Sequence, residues 1–297
     1  MGKLKTMEEI KTLNFQERNY PKALRKTKNA PKILYYRGDL FPIKKCFAVV
    51  GTRRCSDYGK DIAFQIAGDL ADAGFIIVSG LAPGIDTACH QAVVEKNKRT
   101  IAVLGTGVDE NSIYPKENID LSRKILETGG CLMSEYPPGT PGAKFTFPNR
   151  NRIISGLSLG VLVIEAKERS GALITADWAK KQGRKIFAVP GSIHSLNSKG
   201  SHYLIKQGAK LVESAEDILK EFNFPAEKPD FQTPDGSLLN KEGWLILETL
   251  KIEPLYVDKI IEKTKLPAAI IASTIAILEI EGKVKNLGGN VYAIGNC

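Results

Sequence analysis

The sequence predicts an α/β protein: a doubly wound parallel sheet followed by a small domain of helices and a hairpin. Three observations carry this. Seven short apolar runs alternate with helix-like segments between about residues 45 and 222. The runs are continuously apolar, as in strands buried on both faces. A proline-bearing stretch without apolar period then separates them from a second, helix-rich segment.

In chain order, residues 1–44 read as an N-terminal extension holding a short helix and a lead-in segment. "CFAVVG" is β-branched, apolar and stopped by Gly51, and the helical pattern "YGKDIAFQIAGDLADAG" follows it to Gly74. "FIIVSG", "TIAVLG" and "CLMSE" are the next strands, with helix-like "IDTACHQAVVEK" and "ENIDLSRKILETG" between them. "GVLVIEA", "KIFAVPG" and "AKLV" complete the series, joined by "ALITADWAKKQG" and "GSHYLIKQG" and followed by "SAEDILKEF". Crossovers between parallel strands are right-handed by default, so residues 45–222 form one Rossmann-like domain. Residues 223–237, with three prolines, are a linker. Residues 238–297 read as three helices and a hairpin turning at Gly288-Gly289, the winged-helix pattern. Its third helix, "PAAIIASTIAILEIEG", has none of the Arg, Lys, Asn or Gln that reads base edges. A packing or protein-interaction role suits it better than base-specific reading of a duplex.

The net charge is +9, which favours an anionic partner without requiring one. No apolar run approaches the ~18 residues of a membrane span, and the N-terminus lacks a secretory h-region, so no membrane partner is expected. Five scattered cysteines without a CxxC spacing suit a reducing, cytoplasmic setting, with neither disulfides nor a metal site. Catalytic and cofactor motifs fail. Gly59-Lys60 lies too far from Gly51 for a P-loop, and Asp61 stands where Ser or Thr is needed. "GTGVDE" puts Glu110 at the third glycine position of a dinucleotide fingerprint. Asp86 reads as a catalytic carboxylate or as a helix-start residue favoured by the dipole, and His90 as a packed or surface residue. No catalytic residue is assigned.

Four strand ends carry glycine turns: "GTRR" (51–54), "SGLAPGID" (79–86), "GTGVD" (105–109) and "ERSGALIT" (168–175). Glycine at such turns lets backbone N–H groups approach phosphates, and the ligand crevice of an open parallel sheet lies at this edge. One such turn is weak evidence, but four along one edge suit an extended polyanion. The stretch "FTFPNRNRIISGLSLG" (145–160) reads as a loop running into an apolar, helix-and-strand-like segment. Lys144, Arg150 and Arg152 interleave there with Phe145 and Phe147. Charges that track a backbone and aromatic faces that stack bases are what single-stranded nucleic acid requires. Phe147 either stacks a base or packs beneath the loop. Arg152, which opens the apolar run, either meets a phosphate or holds a carboxylate such as Glu135 or Glu165.

These motifs resemble, in order, those of the DNA-processing protein A (DprA/Smf) family. The resemblance rests on "VVGTRR", "SGLAPGIDTACHQAV", "IAVLGTGVDENSIYP", "SEYPPGTPGAKFTFPNRNRIISGLS" and "SGALITADWAKKQGRKIFAVPG", and covers about residues 20–220. It implies a homodimeric single-stranded-DNA-binding protein that loads a RecA-type recombinase in natural transformation, without turnover or cofactor. It also implies a DNA site at Arg53, Lys144, Phe147, Arg150 and Arg152. With the glycine turns, the expected site comprises Gly51, Thr52, Arg53, Gly80, Gly84, Gly105, Lys144, Phe147, Asn149, Arg150, Asn151, Arg152, Ser170 and Gly171. Two departures stand out. About 20 residues precede "YPKALRKTKNAPKILYYRGDL", where many members carry a larger helical domain, and Ala172 replaces a usual serine. The expected dimer edge is "GSHYLIKQGAKLVESAEDIL", with Leu204 and Leu211 toward the partner. Two other functions suit such a fold: a nucleotide sensor, or a phosphoribohydrolase of the lysine-decarboxylase-like (LOG) type. The latter's PGGxGTxxE motif is absent from "EAKERSGALITADWA".

Overall fold

The structure, a computed structural model, describes residues 9–40, 45–224 and 241–295. The chain divides into two compact units, Met1–Ala226 and Glu227–Cys297. The expected linker lies, but for its first two residues, outside the described residues.

In the first unit the described residues form a nine-stranded sheet of order β1-β2-β6-β5-β4-β3-β7-β8-β9. The expected strands are all present: β3 (Cys46–Val50), β4 (Ile76–Ser79), β5 (Thr100–Leu104), β6 (Cys131–Ser134), β7 (Gly160–Val163), β8 (Lys185–Ala188) and β9 (Lys210–Leu211). All six pairings among them are parallel. The N-terminal reading needs correction. Residues 1–44 are not only a lead-in, because β1 (Lys11–Asn14) and β2 (Ile33–Gly38) extend this sheet antiparallel, β2 alongside β6. Their broken apolar pattern hid them: β1 is the edge strand, and β2 next to it mixes buried, half-buried and exposed positions. β1 has one buried residue, Leu13, and no continuous apolar run. The short helix α1 (Lys22–Arg25) lies between them.

Side chains alternate across β3. Cys46, Ala48 and Val50 enter one core with α1, α5 (Thr146–Leu157), α6 (Gly171–Lys181) and α7 (Lys199–Lys206). Phe47 and Val49 enter the other with α2 (Asp57–Asp72), α3 (Ile85–Glu95) and α8 (Ala215–Glu221). A third cluster places α4 (Ile119–Glu127) against β5 and β6. Both faces are therefore covered, the reason the strands read as unbroken apolar runs.

The chain winds outward from β3 to β4, β5 and β6, then returns to β7 on β3's other side. That reversal is a topological switch point, and it opens a crevice at the carboxyl ends of β3 and β7. The returning segment contains the sequence expected as a loop. It is helix α5, beginning at Thr146, which corrects that expectation. Pro148 fits because it falls in the first turn, where its missing N–H has no intrahelical role. Ile153, Ile154 and Leu157 are buried at helical spacing. α5 packs against β3, β4 and β5.

The second unit holds α9 (Lys241–Leu250), β10 (Leu255–Tyr256), α10 (Val257–Thr264), α11 (Ala268–Ile280), β11 (Val284–Gly288) and β12 (Val291–Ile294). The expected hairpin gains a third strand, giving the order β10-β12-β11. Its own core includes Ile246, Ile260, Ile271, Ile275, Leu278 and Val284. Among the described residues no helix is long and apolar enough to cross a membrane.

Candidate nucleic-acid interface

A cleft of about 740 Å³ lies at the switch point. Its walls come from the β3 turn (Val50–Arg54), the loop before α3 (Ala82, with Asp86), the N-terminal part of α5 and the segment after β7 (Lys167, Arg169–Ala172). Arg53, Arg54, Lys144, Lys167 and Arg169 are exposed along it. Asp86, buried, is the one acid among the described lining residues. The rim is thus strongly cationic, and the floor holds one buried acid, Asp86, and one buried cation, Arg150.

The β3 turn is held from below. Thr52 N donates to Glu165 O at 2.8 Å. The Glu165 carboxylate, 4% exposed, accepts from Ser56 N (2.9 Å), Ser56 Oγ (2.6 Å) and Asn197 Nδ2 (3.2 Å). Asn197 Nδ2 also donates to Arg54 O at 3.1 Å. Glu165 therefore serves the Arg53–Arg54 turn and the N-cap of α2, and among the described residues it pairs with no arginine. Gly84 completes the fit. Its φ is +82°, and a Cβ on it would lie 2.4 Å from Thr52 O.

Phe147 is half-buried on the wall. Its ring packs at 5.7 Å against Tyr114, and the Arg53 guanidinium lies 5.2 Å over its centroid. Cβ atoms at Gly105 or Gly142 would fall 2.8 and 2.7 Å from the ring, so both glycines make room for it. Gly105 thus supports the ring and is not among the lining residues. Lys144 is exposed just before the helix, and Phe145 beside it is 66% exposed.

The two helix arginines both point inward. The Arg150 guanidinium is 4% exposed and donates through Nη1 to Gly80 O (2.6 Å) and to Val103 O, and through Nε to Asn151 Oδ1 (3.1 Å). Burial lowers its pKa to about 10, against the raising effect of Asp86, so it stays charged near neutrality. Asp86 accepts from Gly80 N (3.1 Å) and Ala82 N (3.4 Å). Burial raises its pKa, while Arg150 and these hydrogen bonds oppose that. Arg150 and Asp86 thus lie buried near one another in the cleft floor, each favouring the other's charged form, and Arg150, held by backbone carbonyls, has less freedom than a phosphate-tracking residue was expected to have. Arg152 follows the structural alternative: its Nη2 lies 2.5 Å from Glu135 Oε2, at 16% and 17% side-chain exposure.

Of the expected residues, Gly51, Thr52, Arg53, Lys144, Phe147, Arg150, Asn151, Ser170 and Gly171 line the cleft. Gly80, Gly84 and Gly105 stand behind it as packing positions. Asn149 is exposed and hydrogen-bonds Tyr136, and Arg152 lies away with Glu135. Asn151 Nδ2 donates to Gly171 O (3.2 Å), and Ser170 Oγ caps α6 by accepting from Ala172 N (3.3 Å). Sequence reasoning missed Arg54, Lys167, Arg169 and Tyr114 as lining residues. The doubled arginine of "GTRR" and the "KER" before "SG" were available signals, whereas nothing local marks Tyr114.

Similarity to known proteins is extensive. The family model described as DNA recombination-mediator protein A matches residues 11–223, and that of the DprA winged helix domain matches residues 234–290. The chain is 40% identical to Protein Smf of Escherichia coli (strain K12) over 277 residues, covering 91% of this chain and 74% of that protein. It is 45% identical to DNA processing protein DprA of Streptococcus pneumoniae over 221 residues, 74% of this chain and 77% of the relative. The solved structure of the DNA processing protein A from Streptococcus pneumoniae superposes with a TM-score of 0.67 at 44% identity, covering 73% of this chain and 76% of that one. A structure of the Helicobacter pylori protein, described for its single-stranded DNA binding mode, superposes with a TM-score of 0.65 at 29% identity, covering 73% of this chain and 97% of that one. The family models thus match both the larger unit and the smaller one that follows it in the chain. The chain belongs to the DNA recombination-mediator protein A (DprA/Smf) family.

Proposed function

We propose that the chain binds single-stranded DNA in the switch-point cleft, as a homodimer, and delivers it to a RecA-type recombinase during transformation and DNA processing, without catalytic turnover. The observation that carries the reading is the combination of five exposed basic side chains on the cleft rim with an aromatic pair, Phe147 and Tyr114, on its wall. Basic groups neutralise phosphates and carry no base code. An aromatic face stacks any unpaired base. A duplex keeps its bases stacked on each other, so it loses the second contribution. The single-stranded DNA binding named for the Helicobacter pylori relative supports the same reading.

The homodimer part rests on an apolar edge. Ile193 (69% exposed), Tyr203 (56%) and Leu211 (43%) lie in or beside α7 and β9. Leu204, expected toward a partner, is 6% exposed and belongs to the core. Charging it would unfold the unit and test nothing. Tyr203→Glu with Leu211→Glu is the informative pair, read by light scattering.

The test of the binding reading is fluorescence anisotropy with a 30-mer single strand, its duplex and mononucleotides at one salt concentration. Tightest binding to the single strand is expected. Equal affinity for strand and duplex would count against the cleft. Saturation by a mononucleotide alone would favour a nucleotide sensor.

A further inference from the structure

We infer that the outward face of α11 in the second unit is a self-association surface, pairing antiparallel with the same face of a second copy of this chain. The helix occupies the position at which winged-helix proteins present a reading helix to DNA. Here Ile271, Thr274, Ile275 and Leu278 face the unit's core, while Ile270, Ser273, Ile277 and Ile280 are exposed at spacings of three and four residues. Ile277 is 55% and Ile280 87% exposed. Ala269, Ala272 and Ala276 flank that row, also exposed.

Charge argues against nucleic acid as the occupant. Residues 241–297 hold seven lysines and seven Asp or Glu, so the net charge of +9 lies wholly in residues 1–240. The exposed row carries no cation, and its only flanking charges within α11 belong to an acid, Glu279. A polyanion gains nothing from such a face.

Charge also selects a second copy and its direction. Lys265 stands just before α11 and Glu279 near its end, both exposed. Glu279 lies eleven residues after Ala268, about 17 Å at helical rise, and Lys265 stands three residues before the helix starts. Antiparallel pairing about a two-fold axis near residue 272 sets each lysine against the other copy's Glu279. It also opposes the two helix dipoles. Parallel pairing would set like charges together. Isoleucines of one copy then fill the hollows over the alanines of the other, the self-complementarity that an isologous contact needs. Three isoleucines fall short of the ~800 Å² per partner of a standard stable interface. The contact is therefore weak alone and gains strength where other contacts hold copies together.

The test is site-directed cross-linking of the full chain in a Cys55→Ser, Cys297→Ser background. Ser273→Cys, one residue from the axis, should form an intermolecular disulfide under mild oxidation. Asn286→Cys, on the wing and off this face, should not. Adding Ile277→Lys should reduce the Ser273→Cys cross-link at least tenfold while the thermal melt is unchanged. Lys265→Glu should weaken it, and Lys265→Glu combined with Glu279→Lys should restore it. Equal cross-linking at positions 273 and 286, no effect of Ile277→Lys, or no rescue by the charge swap overturns the pairing. The readout requires no DNA binding, so it stands or falls apart from the cleft.

Discussion

At the scale of single residues, charge and stacking are coupled at one point and separate at another. Arg53 lies over the Phe147 ring, so removing it alters both the phosphate contact and the aromatic face. Lys144 has no such contact among the described residues and is the cleaner probe. Lys144→Ala should lower the log–log salt slope of single-strand binding by about 0.7. Phe147→Ala should cost about 1–3 kcal/mol of binding and leave the slope unchanged, since a π-face releases no counterion. Both are read in one salt titration. Arg152 behaves differently. Its pair with Glu135 uses one nitrogen and one oxygen, while Arg152 Nη1 and Glu135 Oε1 are buried without a hydrogen-bond partner among the described residues. Arg152→Ala should destabilise the fold by on the order of 2–4 kcal/mol, because it strands a partly buried carboxylate. Arg152→Lys should recover much of that, since only one donor is in use. A melting temperature that Arg152→Ala leaves unmoved would refute this. His90 is fully buried, its Nδ1 2.9 Å from Thr100 Oγ1, and burial lowers its pKa to about 3. A depressed histidine binds its proton more readily in the unfolded chain, so stability is complete above the ordinary value near 6.5 and falls as pH drops below it. By pH 5 the loss should be about 2 kcal/mol. Denaturant midpoints of wild type and His90→Gln should converge as pH falls from 7 to 5.

At the scale of elements, the site depends on how α5 and the β3 turn meet. α5 returns the chain across the switch point and brings Phe147 and Arg150 to the cleft in one pass. Its identity as a helix was hidden by Pro148 and the polar "NRNR", which resemble loop chemistry, although Ile153, Ile154 and Leu157 carry helical spacing. The β3 turn meets α3 at Gly84, whose positive φ and contact with Thr52 O admit no side chain. Gly84→Ala should therefore displace the Arg53–Arg54 turn. Single-strand binding is expected to weaken at least fivefold, and stability to fall by about 1–3 kcal/mol. Substituting Gly74, which also has positive φ but has open space around it, should cost stability and spare binding. Binding that is unchanged in Gly84→Ala would detach the turn from the site.

At the scale of the molecule, the two units divide the chemistry. The cleft and the entire net positive charge belong to residues 1–240, and residues 241–297 are electroneutral with an apolar outward helix. Deleting residues 235–297 should therefore keep single-strand affinity within about tenfold of the full chain, a difference of under ~1.4 kcal/mol. A larger loss in the anisotropy titration would place part of the DNA site in the second unit.

The seven parallel strands and the second unit were legible in the sequence because burial on both faces writes unbroken apolar runs, and helix spacing is local. The glycine turns were legible for the same reason: backbone freedom is a property of one residue. The roles of the two arginines were not. Arg150 and Arg152 sit two positions apart on one helix, and each is directed by groups far along the chain. Arg150 is held by carbonyls of Gly80 and Val103, and Arg152 by Glu135. Tyr114 reached the Phe147 ring, and Lys167 and Arg169 the cleft rim, only through the same convergence. Likewise β1 and β2 read as lead-in because an edge pair needs only one apolar face, and its partner β6 lies about a hundred residues further on. Composition and period determined which elements form; which charges meet the solvent was decided by the reversal of the sheet at β3, where distant strand ends come together.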